Sequence, residues 1–390
     1  MSLPPPRVRR TTRCLDPKIR PVVTWFQRMS CVLQASTRYK CVPALLMVAL
    51  LIPLRRVPRA EAQQTAAAGP ERQTSEAIRV WGYDGMANLV EKWERGFEKD
   101  HPQVHFKTEL HGPDTAMAGL YNGVADVAVM GRELWPVDAM AFHWVFQYPP
   151  FRVEVVTGSL DSPGQSFSPV VIVNIENPLS RITLEQLAGV YGSEHRRGGK
   201  NLRVWGDLGL TGQWANRPIH AYGYGVDDAI GIYFRKRVLL DDYKPNVSGH
   251  MLSDGSNGVS ACRRIREAVV ADPLAIGLAR YSPEESGLKV LRIADKAGEA
   301  GVAPSASTVL NRSYPLTRSL SFYVNRAPGK PLPPELVAFL RYVLSPEGQK
   351  IVKEERQFTP LSPDVAALQQ KKLTAPQARE VKQESLSDNN

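Results

Sequence analysis

Few residues in this chain are spaced to make or break a covalent bond. The seven histidines are scattered, and none stands at triad or metal-ligand spacing. No CxxC pair and no HExxH motif is present, so zinc chemistry has no ligand set. Gly223-Tyr224-Gly225 is an isolated GxG without a third glycine, and Gly258-Val259-Ser260-Ala261-Cys262 lacks the last glycine of a nucleophile elbow. The adjacent acids Asp227 and Asp228 are of the type that hydrolases use. Neighbours on one loop rarely face one substrate together, however. Binding is therefore expected rather than catalysis, with no cofactor and no metal.

The residues suited to binding are polar groups at turns. Asp84 beside Gly85, and Asp114 before Thr115, each fall where a glycine-containing turn opens a helical segment. A carboxylate there caps the helix, which contributes ~1 kcal/mol without any ligand. Asp126 begins the apolar run Ala125–Met130, where it either accepts from buried backbone donors or faces a ligand. Arg132, in the turn Met130-Gly131-Arg132-Glu133, is a candidate anion ligand, with Glu133 or Asp138 as alternative ion-pair partners. Tyr224 suits core or cleft equally. Trp135, Trp144, Trp205 and Trp214 have the faces to stack on a sugar, and each alone fits packing better. Cys262 reads as a small apolar filler beside Arg263 and Arg264.

The elements that must position these residues follow from hydrophobic period. Ile78–Trp81 is a strand, and Leu89, Val90, Trp93 and Phe97 recur at helical spacing behind the Gly82–Gly85 turn. His101-Pro102 closes that helix, because the residue before proline disfavours the helical region. Val104–Leu110 alternates as a strand, His111–Thr115 opens a second helix, and Ala125–Met130 is a buried strand. This β-α-β-α-β order predicts parallel strands with helical crossovers, an α/β lobe. Strands are further predicted at Pro169–Ile175, Ile219–Tyr224, Ala275–Ala279, Leu288–Ile293 and Ser319–Asn325. Helices are predicted at Thr183–Tyr191, Ile230–Leu240 and Glu335–Glu354, the last breakable at Ser345-Pro346-Glu347.

Composition narrows the partners. The net charge is +10, but residues 1–62 hold twelve Lys/Arg against two Asp/Glu, and the rest carries 37 of each sign. The body therefore has no bias toward nucleic acid. Within the basic segment, Arg38 and Lys40 precede the apolar run Val42–Leu54, and Ala60-Glu61-Ala62 supplies small residues before Gln63. That pattern predicts an export signal over 1–62, with an uncleaved anchor as its rival and Met29 as an alternative start. Cleavage would leave Cys262 without a disulfide partner, Cys14, Cys31 and Cys41 being lost. Residues 63–76 read as a linker and 363–390 as a disordered polar tail.

Three stretches carry a resemblance: WGYDGMANLVEKWERGFEKDHPQV, NGVADVAVMGREL and the C-terminal block Tyr314–Leu361. Together they resemble the substrate-binding proteins of phosphate-type ABC transporters, the type II periplasmic binding proteins. The likeness spans about 78–362 and is weakest over 190–310. It implies an α/β fold of two lobes, lobe 1 discontinuous (76–166 plus 317–362) and lobe 2 inserted (167–316), joined by hinge strands around an interlobe cleft. It implies an exported, periplasmic, monomeric protein that holds a small solute and serves an ABC transporter permease; a sensor or interaction module on the same fold is the alternative.

The resemblance also places the site. Relatives bind the anion with helix N-termini, hydroxyls and an arginine. The first hydroxyl falls on Asp84, beside Gly85, and the second turn on Gly112-Pro113-Asp114 with Thr115 next. The acceptor acid falls on Asp126, the arginine on Tyr224, and the last loop on Asp227 and Asp228; Arg132 is the nearby cation. Each carboxylate facing a phosphate repels it by ~1–4 kcal/mol at 4 Å for an effective dielectric of 80–20. A neutral polyol, a sugar or a cation is therefore expected to suit the cleft better than phosphate.

Overall fold

The computed structural model describes residues 77–160, 167–253, 259–282 and 286–375. The expected export signal and the linker over 63–76 lie outside the described residues.

The first part of the chain runs β1 (Ala77–Gly82), α1 (Ala87–Asp100), β2 (His105–Glu109), α2 (Pro113–Tyr121), β3 (Val127–Met130), α3 (Pro136–Phe146) and β4 (Phe151–Gly158). The middle runs β5 (Val170–Asn174), β6 (Arg181–Thr183), α4 (Leu184–Tyr191), β7 (His220–Tyr224), α5 (Ala229–Arg237), β8 (Gly249–Leu252), α6 (Val259–Ala271), β9 (Ala275–Ala279), β10 (Leu288–Val290), β11 (Arg292–Ala294) and α7 (Ala306–Leu310). The chain then returns through β12 (Ser319–Val324), α8 (Pro334–Val343), α9 (Pro346–Glu355), β13 (Phe358–Thr359) and α10 (Pro363–Thr374).

Two main sheets result. The first has the order β13-β4-β12-β3-β1-β2, and the second β10-β5-β9-β7-β8. In the first, β1 pairs in parallel with β2 and β3, whereas β12 runs antiparallel to β3 and β4. In the second, β7 is parallel to β8 and β9. Parallel neighbours send their helices N-terminally from one sheet edge, which is where ligands meet unpaired backbone donors. Each sheet has its own core, around Trp93, Phe322 and Phe339 in one lobe and around Tyr191, Trp205 and Ile276 in the other.

The two crossings between lobes run side by side. Ser168 donates its backbone N–H to Ser159 at 2.7 Å and its hydroxyl to Gly158 at 2.8 Å. The return strand joins them, with Arg318 donating its backbone N–H to the Ser168 hydroxyl and accepting from Gly158.

One expectation changes. The segment from Pro363 is not a disordered tail through its first turns: α10 buries Ala366, Gln369 and Leu373 against the first lobe. Gln369 accepts from the Glu154 backbone N–H, and the Arg326 guanidinium donates to the Lys372 and Ala375 carbonyls. Few apolar residues suffice here because they fall on one helical face. The C-terminal helix divides at the expected Ser345-Pro346-Glu347 step. Ser345 caps α9 by accepting from Gly348, and Pro346 occupies the first turn, where its missing N–H costs nothing.

Helix α1 illustrates how the pattern becomes packing. Leu89, Val90, Trp93 and Phe97 are buried on one stripe, and Glu91, Glu94 and Glu98 lie outside it. Glu94 is half-buried, and burial, with repulsion from Glu98 and Glu91, pushes its pKa up to about 7 despite a hydrogen bond from Thr108. The folded carboxyl holds its proton above the unfolded value near 4.5, so stability is fully present below that pH and falls as pH rises toward 7. Thermal melts from pH 4.5 to 8 should show this decline, on the order of 1 kcal/mol after screening. Glu94→Gln should flatten it; an unchanged slope in the variant would refute the assignment.

Candidate interlobe site

Lobe 1 contributes three turns at the C-terminal edge of β1 and β3. The first is Tyr83-Asp84-Gly85, a 3-10 turn that leads into α1. Tyr83 donates its backbone N–H to the Val129 carbonyl, and its ring is buried between Gly85 and Gly131. A Cβ at Gly131 would lie 2.4 Å from that ring, so glycine is needed for the aromatic to close over the turn. Asp84 is exposed at the start of the helix. The second turn hangs on Gly112, whose N–H reaches the Gly82 carbonyl at 2.9 Å. Asp114 is exposed in the first turn of α2, and Thr115 folds its hydroxyl back onto the Gly112 carbonyl at 2.8 Å.

The third turn holds the cation. The Arg132 side chain is buried and donates to Asp114 at 2.7 Å, to Asp138 at 2.6 Å and to the Glu133 carbonyl at 3.1 Å. Burial works against its charge, but Asp138 and Asp114 more than offset this, and its pKa ends above the usual value. The guanidinium also stands 5.4 Å from the Trp135 ring centre. Asp138 further accepts from the Trp135 N–H and so fixes the start of α3. The Glu133 carboxylate, which the sequence allowed as the Arg132 partner, turns elsewhere.

That carboxylate meets Arg318, at the return crossing. Arg318 is fully buried, and its Nε and Nη2 each donate to Glu133 at 3.1 Å, with Nη2 also reaching the Gly131 carbonyl at 2.9 Å. Its guanidinium lies 5.9 Å from the ring centre of Tyr233 on α5. Tyr233 in turn donates to the Thr317 carbonyl at 3.1 Å, which ties α5 to the crossing.

Lobe 2 presents the N-terminus of α5. Asp228 caps it, accepting from the Ile230 N–H at 2.7 Å. Burial raises the Asp228 pKa; the backbone donors and Arg318 pull the other way. Asp227 is exposed and accepts from the Ser253 hydroxyl at 3.0 Å. Through Tyr233, α5 thus contacts the crossing, and through Arg318 the crossing contacts the Gly131–Glu133 turn of lobe 1.

Thus Asp84, Gly85, Asp114, Thr115 and Arg132 share one edge of lobe 1, and Asp227 and Asp228 stand at the start of α5 in lobe 2. Two expectations are corrected. Asp126 precedes β3, at the far end of the strand from this edge, roughly 13 Å away at ~3.3 Å per residue. Its carboxylate accepts from the Arg79 backbone N–H at 3.0 Å and from the Arg79 guanidinium at 2.9 and 3.1 Å. Tyr224 is 4% exposed and belongs to the lobe 2 core beside Cys262, where burial pushes its pKa well above normal. It cannot supply an arginine's charge to the gap. Trp205 and Trp214 are buried edge-to-face at 6.1 Å, as packing residues. Sequence reasoning missed Tyr83, Tyr233 and Arg318, and it gave Glu133 the wrong partner. Arg318 carried one signal, an arginine immediately before an apolar strand that crosses between lobes.

Residues 65–347 match the PBP superfamily domain. The phosphate-binding protein PstS of Pseudomonas aeruginosa is 31% identical over 287 residues, covering 73% of this chain and 83% of the relative. This chain is a solute-binding protein of the PBP superfamily. Within it, this PBP protein belongs with the phosphate-transporter type of substrate-binding proteins. The protein SphX of Synechococcus elongatus is 23% identical over 326 residues, 82% of this chain and 86% of that one. In fold it matches PstS from Borrelia burgdorferi with a TM-score of 0.51 at 15% identity, covering 74% of this chain and all of the other. Among the described residues no helix is long and apolar enough to cross a membrane.

Proposed function

We propose that this PBP protein captures a small solute between its lobes, outside the cytoplasm, and presents it to an ABC transporter permease. Binding, not catalysis, is its task. The solute is a neutral polyol, a sugar or a small cation rather than a bare oxyanion. One observation carries this reading: the donors that an oxyanion needs are taken by the protein's own carboxylates. Arg132 is held by Asp114 and Asp138, Arg318 by Glu133, and Asp228 occupies the first N–H groups of α5. An incoming phosphate would have to displace these carboxylates and approach Asp84 and Asp227 as well, at ~1–4 kcal/mol per close like charge.

Calorimetry with inorganic phosphate tests it. The wild-type protein should bind phosphate no tighter than about 1 mM. The double substitution Asp114→Ser, Asp228→Ser releases Arg132 from one partner and uncovers the α5 donors, and should strengthen phosphate binding about tenfold or more. Micromolar phosphate binding by the wild type would overturn the proposal and make phosphate, which the Pseudomonas relative's name specifies, the solute here too. Native mass spectrometry of freshly purified protein would identify a retained solute.

A further inference from the structure

Lobe 2 contains a cavity apart from the interlobe gap, between the face of its sheet and α5. Protein-free space there amounts to about 460 Å³, much of it in the open mouth, so a bound molecule would sit partly in solvent. Tyr191, Tyr224, Phe234 and Met251 supply an apolar wall, and the segment from Leu239 to Pro245 forms the rim. The space has a cause in the sequence. Gly231 seats the first turn of α5 against the Gly225 carbonyl, where a Cβ would come within 2.0 Å. Gly223 leaves β7 bare between Tyr191 and Met251, so no side chain fills the space between sheet and helix.

The guanidinium in this wall lacks what burial demands. Arg235 is 7% exposed, and its Nε and Nη2 have no hydrogen-bond acceptor among the described residues. The Asp241 carboxylate is 3.9 Å from Nε, beyond hydrogen-bond reach, and is also approached by Lys236 at 3.5 Å. Asp242 also lines the cavity, but its oxygens accept the backbone N–H groups of Glu194 and Lys244 at 2.8 Å each. The guanidinium carbon instead stands 4.3 Å from the Tyr243 ring centre. Burying N–H groups without acceptors is unfavourable, and Nε with Nη2 forms one edge of the guanidinium fork, the edge that a carboxylate meets with two parallel bonds. The rim shows a second, independent departure: Leu240 and Asp241 both lie in the left-handed region, at φ of 52° and 62°, which leucine rarely adopts.

We propose that this cavity binds a small aromatic or branched carboxylic acid. The apolar body lies against Tyr191, Phe234 and Met251, and the carboxylate sits on the Nε and Nη2 edge of Arg235. The site uses none of the charged residues of the interlobe gap, so it stands or falls separately from the solute bound there.

The test uses the full chain with methyl-labelled methionine, and benzoate and benzyl alcohol as probes followed by NMR. Benzoate should shift the Met251 methyl signal saturably with a dissociation constant of about 1 mM or tighter, and benzyl alcohol should bind about tenfold more weakly. Arg235→Gln should weaken benzoate about tenfold and leave benzyl alcohol nearly unchanged. Equal affinity for the two probes in the wild type, or no Met251 shift, would overturn the proposal even if the variant failed to fold.

Discussion

Arg318→Met should lower the unfolding free energy by about 3–5 kcal/mol, the cost of breaking a buried ion pair by removing one partner. Arg318 is fully shielded from water, and the Glu133 side chain opposite it is 18% exposed. Methionine keeps much of the volume but leaves Glu133 and the Gly131 carbonyl without the donors that now reach them from Arg318. The loss falls on the crossing itself, since the Arg318 backbone links Gly158 and Ser168. Urea denaturation measures it. The double variant Arg318→Met, Glu133→Leu separates pairing from packing, because removing both charges should recover most of the loss. A single-variant loss below about 1 kcal/mol would mean that the pair is not the buried clasp described here. Because the same pair anchors the Gly131–Glu133 turn that carries Arg132, Arg318→Met should also weaken solute binding, whereas a distant core variant of equal instability should not.

Trp93→Ala should cost a similar amount, about 3–5 kcal/mol, through a different mechanism. Trp93 is fully buried, packs edge-on to Phe322 at 5.8 Å and donates its ring N–H to the Gly348 carbonyl at 2.9 Å. One side chain thus joins α1, β12 and α9, the early and late parts of a discontinuous lobe. Alanine would leave a cavity and a carbonyl without its donor. Trp93→Phe should retain most of the packing and lose about 1 kcal/mol for the hydrogen bond. If alanine and phenylalanine proved equally damaging, the hydrogen bond rather than the ring volume would be the main contribution.

How legible each element was depended on whether its pattern was local. The β1-α1-β2-α2-β3 order could be read because Leu89, Val90, Trp93 and Phe97 make one stripe and Val127–Met130 is wholly buried. Helix α3 could not, because its sequence is apolar on every side: Phe142 is buried while Val137, Met140 and Trp144 are exposed. A helix without contrast between faces has no period to detect. Helix α10 failed for the opposite reason, since three buried positions among lysines and glutamines looked like solvated chain. At the site, acids at helix starts were visible as turn chemistry, and Asp114 and Asp228 are where that chemistry puts them. Asp126 was misplaced because a strand residue reads the same from either end of the sheet; only the pairing of Val80 with Val127 shows which edge it occupies.

Sequence alone determined the class of the protein and the unusual chemistry of its turns. Hydrophobic period specifies strands and helices, glycine and aspartate specify turns, and both act over a few residues. Tertiary structure decided which charges remain available to a ligand. Arg132 meets Asp114 across 18 residues, and Arg318 meets Glu133 across 185. Electrostatic energy depends on separation in space and on burial, neither of which spacing along the chain encodes.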